Sequence, residues 1–124
     1  MKILSTKVHG VLDYSMAILL IAAPWLFNFA NDGAQTLVPV ILGSMTILYS
    51  LITDYEYSMW RIIPFRAHLA LDIISALLLA ASPWIFGFAD VVSAPHVILG
   101  ALELFAVILT EKPSGVSART HQAG

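Results

Sequence analysis

Residues 67–88 read AHLALDIISALLLAASPWIFGF, and this stretch decides the fold. It is close to the roughly 20 residues that an α-helix needs to cross a bilayer core. Leu and Ala dominate it and no period-two alternation runs through it, so it reads as helix and not as strand. Three other apolar runs resemble it, at about Val8–Phe29, Thr36–Thr53 and Pro95–Thr110. The second and fourth runs are at the short end for a span and would cross with little tilt. Turn residues separate the runs within each pair. They are Asn28 and Ala30-Asn31-Asp32-Gly33 in one case, and Ala89-Asp90 through Ser93-Ala94-Pro95 in the other.

The rest of the chain agrees with a lipid solvent. Of its 124 residues, 59% are apolar and 11% charged, against about half and about one quarter in a soluble domain. So short a chain has too little polar surface to cover such a core in water. The formal net charge of −2, with no basic cluster, excludes nucleic acid as an expected partner. Cysteine is absent, which excludes disulfides, thiol redox chemistry and thiolate metal sites. No cleavable signal peptide is expected. The first apolar run follows Lys2 and Lys7, but it contains His9 and Asp13 and ends at Pro24-Trp25 without a small-x-small site.

The chain is duplicated. His9-Gly-Val-Leu-Asp13 aligns with His68-Leu-Ala-Leu-Asp72, and Ala23-Pro24-Trp25 with Ser82-Pro83-Trp84, at a constant offset of 59 residues. After a two-residue deletion, Val40-Ile-Leu-Gly43 aligns with Val97-Ile-Leu-Gly100, and Thr53-Asp54 with Thr110-Glu111. Each copy holds two spans, so both enter the membrane from the same side. The expected fold is therefore all-α. It is a four-transmembrane-helix bundle of two tandem helical hairpins, with a pseudo-two-fold axis along the membrane normal.

The integral membrane domain is expected over residues 1–112, with repeat one at about 8–54 and repeat two at about 67–111. The amphipathic connection at about 55–66 is expected to lie in the interface, with Tyr55, Tyr57 and Trp60 at headgroup level. A plain solvated loop is the alternative. Residues 113–124 are small and polar, and are expected to form a disordered cytoplasmic tail.

The Ser82-Pro83-Trp84 tripeptide, the preceding His68-x-x-x-Asp72 and the Ile63-Pro64 before that resemble the SPW-repeat membrane proteins of bacteria and archaea. The resemblance covers about Lys7 to Thr110, and the first copy departs from it with Ala23 in place of serine. It implies a two-repeat integral membrane domain, with no established enzymatic activity and no defined catalytic residues.

Orientation follows from charge. All six Lys and Arg residues fall on one side of a four-span arrangement: Lys2, Lys7, Arg61, Arg66, Lys112 and Arg119. The positive-inside rule places that side, and with it both termini, in the cytoplasm of a cell inner (plasma) membrane.

Pro24-Trp25 and Pro83-Trp84 fall near the outer helix ends, where proline ends or kinks a helix and tryptophan anchors in the interface. A kinked gate between the copies is the functional alternative to that anchoring role. His9/Asp13 and His68/Asp72 are each four residues apart, hence on one helix face. Lipid-facing aspartate is costly, so both pairs are expected to face the bundle interior and converge on the two-fold axis. Partners are expected from two polar stripes, Gly43, Thr46, Ser50 and Thr53, and Gly100, Glu103 and Thr110. At about 1.5 Å per residue, Glu103 and Asp72 lie roughly 12 and 8 Å from the inner end, near enough to share one cluster.

Three readings of the cluster stand. In the first, each histidine bonds its own aspartate and the network fixes helix register. In the second, His9, Asp13, His68, Asp72 and Glu103 form a proton or ion pathway. In the third, His9, Asp13, His68 and Asp72 hold a divalent metal. His96, with Pro39 at its place in the first copy, is read as interfacial, and His121 carries no message. No phosphate loop or catalytic triad spacing is present, so neither an enzyme nor a cofactor is expected. The leading functional expectation is a structural or accessory membrane protein in the lipid bilayer. It would associate with itself, using Gly10, Gly43 and Gly100 as close-packing sites, or with a larger membrane partner. A small proton or ion transporter is the rival.

Overall fold

The computed structural model describes residues 3–110. The expected cytoplasmic tail, and Lys2, Lys112 and Arg119, lie outside them. Four helices follow in order: α1 (Thr6–Leu26), α2 (Ala34–Leu51), α3 (Phe65–Ile85) and α4 (Ala94–Leu109). Three are long and apolar enough to cross a membrane, and α4 is a shorter apolar helix. The protein is thus an all-α, four-helix membrane bundle, and no strand forms among the described residues.

Local chemistry sets the helix ends. Ser5 caps α1, its hydroxyl accepting the Val8 amide at 3.1 Å, which satisfies a donor that the first turn leaves free. At the far end the chain leaves α1 through Asn28, at φ 61°, and leaves α3 through Gly87, at φ 73°. These two residues occupy the same repeat position. Asparagine and glycine are the residues that tolerate left-handed backbone, so each copy meets the turn with one of them. Beyond the turn, the Pro24 carbonyl accepts the amides of Phe29 and Ala30 at 2.8 and 2.9 Å. The Pro83 carbonyl accepts those of Phe88 and Ala89 at the same two distances.

The duplication persists in the packing. Each hairpin closes tightly because a glycine on its second helix meets the backbone of its first. A Cβ on Gly43 would lie 2.7 Å from the Ala17 carbonyl oxygen, and one on Gly100 would lie 2.7 Å from that of Ala76. Gly43, Gly100 and Gly10, which faces Tyr55 and Tyr57, are buried within the chain. They are therefore not surfaces for association between chains, as the sequence suggested. Between repeats, α2 packs on α3 and α4 on α1. The Ile3 and Leu4 amides bond the Leu109 carbonyl just as the Ile62 and Ile63 amides bond that of Ile52. A pseudo-two-fold axis therefore relates the hairpins.

The connection from 52 to 64 forms no helix and folds back on the end of α2. The amides of Met59 and Trp60 both reach the Leu51 carbonyl at 2.9 Å. Trp60 is exposed, but Tyr55 does not join it. Tyr55 turns into the bundle, 5% exposed, and packs with Phe65, Leu69 and Val107. A second core of Leu20, Ala23, Phe29, Leu42, Leu79 and Leu99 fills the opposite end.

Candidate functional site

His9 and Asp13 lie on α1, and His68 and Asp72 on α3, one and two turns from the helix starts. All four side chains are buried and meet at the axis between the two helices. The principal bonds run between repeats and not within them. His68 Nε2 lies 2.5 Å from Asp13 Oδ2, and His9 Nε2 lies 2.8 Å from Asp72 Oδ2. The pairs within one helix are longer, His9–Asp13 at 3.2 Å and His68–Asp72 at 3.3 Å. The expectation that each histidine bonds chiefly its own aspartate is corrected here. α1 and α3 are diagonal in the bundle, and their side chains reach across the axis so that the partner's carboxylate is nearer than the one a turn away.

The outward ring nitrogens are held by threonine. His9 Nδ1 lies 2.7 Å from Thr110 Oγ1, and His68 Nδ1 lies 2.9 Å from Thr53 Oγ1. Each threonine hydroxyl already donates to a carbonyl four residues back, Thr53 to Tyr49 at 2.6 Å and Thr110 to Ala106. A hydroxyl has one proton, so each threonine must accept from the imidazole, and Nδ1 carries hydrogen in both histidines. Each Nε2···Oδ2 contact then requires one further proton, on nitrogen or on oxygen. Two Nδ1–H imidazoles, two carboxylates and two shared protons sum to zero. A neutral quartet is what a low-dielectric interior tolerates, since an unbalanced buried charge is costly.

Aromatic rings surround the quartet. Phe65 stacks on His68, with ring centres 5.4 Å apart, and meets His9 edge-on at 5.6 Å. Tyr55 packs against both Phe65 and His68, and burial raises its hydroxyl above the ordinary tyrosine range.

The symmetry breaks at two positions on the second helix of each repeat. Tyr49 donates to Asp72 Oδ1 and closes the α2/α3 side of the quartet, with Thr46 beside its hydroxyl at 3.3 Å. The corresponding residues of α4 are Ala106 and Glu103. On that side no ring fills the space, and a cleft of about 390 Å³ opens between α1 and α4. Asp13, Ser15, Met16, Leu102, Glu103 and Ala106 are among its lining residues. Glu103 faces the same cleft as Asp13 but is not bonded into the quartet, and its Oε1 is buried without a partner. Sequence reasoning missed Tyr49, although its spacing from Thr46 and Thr53 sets it on the same helix face.

The remaining candidate residues lie elsewhere. Trp25 and Trp84 are 64% and 63% exposed at the ends of α1 and α3, while Pro24, Ser82 and Pro83 are buried. The Ser82 hydroxyl bonds the Leu79 carbonyl at 2.7 Å. His96, read as interfacial, is buried between Phe29 and Phe88, where Nε2 donates to the Gln35 carbonyl at 2.9 Å. Those two phenylalanines are repeat equivalents and straddle the ring.

Fold and quartet together define a tandem-hairpin membrane bundle closed by reciprocal histidine–aspartate bonds. The SPW repeat domain matches residues 7–110, and the chain belongs to that family. No curated protein and no solved structure matches it.

Proposed function

We propose that this chain is a structural or accessory membrane protein that associates with itself or with a larger membrane partner. In this reading the quartet joins the repeats into one rigid unit. The observation that carries it is the reciprocal pairing of His9 with Asp72 and His68 with Asp13. Both histidines have their ring nitrogens satisfied by protein, as a bundle-fixing network requires. We further propose residence in the plasma membrane with both termini cytoplasmic, supported by exposed Lys7, Arg61 and Arg66 at one end of the bundle. The test is the double change Asp13→Asn with Asp72→Asn. It lowers thermal stability or alters assembly, and leaves ion and proton flux in proteoliposomes at the level of empty vesicles, as for wild type.

A second reading, a small proton or ion transporter, draws on the half-buried Glu103 in the α1/α4 cleft, whose Oε1 is buried without a partner. It requires a wild-type flux that Glu103→Gln removes while the helical content stays intact.

A further inference from the structure

We propose that His9, Asp13, His68 and Asp72 form a four-ligand site for one divalent first-row transition-metal ion, reached through the α1/α4 cleft past Glu103. The proposal rests on the geometry of the quartet and stands or falls separately from the structural reading above.

The donor set is complete. One donor atom from each residue lies within 4.8 Å of the other three. Four-coordinate zinc holds nitrogen and oxygen ligands at about 2.0–2.2 Å, which separates tetrahedral donors by roughly 3.4 Å. The closest donors are now 2.5, 2.8, 3.2 and 3.3 Å apart. Loading the site therefore opens these four histidine–aspartate pairs by less than an ångström and draws in the remaining donor separations, which reach at most 4.8 Å.

Both imidazoles are already in the required tautomer. The threonine hydroxyls fix hydrogen on Nδ1, which leaves Nε2 of both rings aimed at the centre. A metal-ligating histidine ordinarily has its other nitrogen held this way. Charge also balances. The protein supplies two neutral imidazoles and two carboxylates, and the two protons now shared in the Nε2···Oδ2 contacts make the sum zero. One divalent ion replaces those two protons, which leave to water, and the site stays neutral.

Ligand type narrows the ion. Two nitrogens and two carboxylate oxygens, with no thiolate in the chain, suit zinc, iron(II), cobalt(II) or manganese(II). Calcium and magnesium need about six oxygens and are poorly served.

Access is one-sided. Tyr49 blocks the approach to Asp72, whereas Ala106 leaves the approach to Asp13 open. Glu103 stands on that approach with Oε1 buried and without a partner. Glu103 and Asp13 line the same cleft, so a cation that enters it meets both carboxylates.

The experiment uses the full chain in nanodiscs, stripped with chelator and then dialysed against zinc at micromolar concentration. Elemental analysis should find close to one zinc per chain. A weakly buffered titration should record close to two protons released per ion. Thr110→Val, which keeps all four ligands but frees one Nδ1, should weaken binding roughly 10–100-fold. Glu103→Gln should slow loading several-fold. Absence of saturable zinc uptake by the wild type overturns the site. So does affinity unchanged in Thr110→Val, or in folded His9→Gln with His68→Gln. An unaltered loading rate in Glu103→Gln overturns the route. Failure of zinc binding leaves the stability test above unaffected, so the two readings fail distinguishably.

Discussion

Asp13 and His68 stand 55 residues apart in the chain, yet Asp13 Oδ2 and His68 Nε2 are 2.5 Å apart in the bundle. His9 and Asp72 repeat the contact at 2.8 Å with the roles of the two copies exchanged. The repeats are therefore joined by polar bonds at the axis, next to an aromatic core and away from lipid.

The two aspartates should not be equally sensitive. Either change to asparagine leaves a buried histidine with a poorer partner, a loss of about 3 kcal/mol or more. Asp72→Asn also weakens the bond from Tyr49, a further loss of about 1 kcal/mol. Thermal unfolding of the single variants in one detergent should rank wild type, Asp13→Asn, Asp72→Asn. The reverse order would show that Tyr49 adds nothing.

Glycine substitutions should distinguish packing from turns. Gly43→Ala and Gly100→Ala each drive a Cβ to 2.7 Å from a backbone oxygen, so the helices must part and both variants should be strongly destabilised. Gly33→Ala meets nothing closer than the Asn31 side chain at 3.5 Å and should be mild. At the left-handed turn, Asn28→Gly should be neutral or slightly stabilising, and Gly87→Ala should cost about 1 kcal/mol. Unfolding midpoints of the five variants would check this pattern.

Tyr55 should govern alkaline stability. Its hydroxyl is buried without a partner, as is that of Ser50, so Tyr55→Phe should be neutral or stabilising near pH 7. Burial raises its folded-state pKa above the unfolded value of about 10. The folded state then holds a proton that the unfolded state releases. That contribution is whole below about pH 10 and is lost as pH climbs further. Wild type should therefore lose stability above pH 10 more steeply than Tyr55→Phe. Equal slopes would place the hydroxyl in water.

The tryptophans should report depth. Trp25 and Trp84 are exposed at the C-terminal ends of α1 and α3, and Trp60 on the connection at the other end of the bundle. Lipids carrying a quencher near the headgroup should quench all three more than lipids quenched at the bilayer centre. Stronger quenching at the centre would remove the anchoring role.

Much of the bundle was legible because it is written twice. The 59-residue offset, the four apolar runs and the paired histidines and aspartates each follow from composition or spacing. Convergence of the polar residues followed from the cost of charge in lipid. What escaped depends on how helices meet across the axis. Spacing along one helix favours His9 with Asp13, but the meeting of side chains from diagonal α1 and α3 at the axis favours His9 with Asp72. The inward turn of Tyr55 was hidden for the same reason, since an aromatic residue beside a span reads as a headgroup anchor until its neighbours are known. Gly43 and Gly100 were correctly small but assigned to the wrong contact, within hairpins and not between chains. The Glu103 side of the cleft was legible only in part. The sequence shows that glutamate replaces Thr46, but not that Ala106 leaves room beside it.

Reciprocity across the axis has a consequence for assembly. Each hairpin supplies one histidine and one aspartate to the other, so neither can complete the quartet alone. The bonds are indifferent to whether the two hairpins share a chain. Two molecules that exchanged their second hairpins would rebuild two quartets, each with its two threonine contacts and its Tyr49 bond, by altering the path of residues 52–64. That segment, folded back on the end of α2, is therefore what favours a closed monomer over a swapped dimer. By the same logic, the two hairpins produced as separate polypeptides should find each other in the membrane.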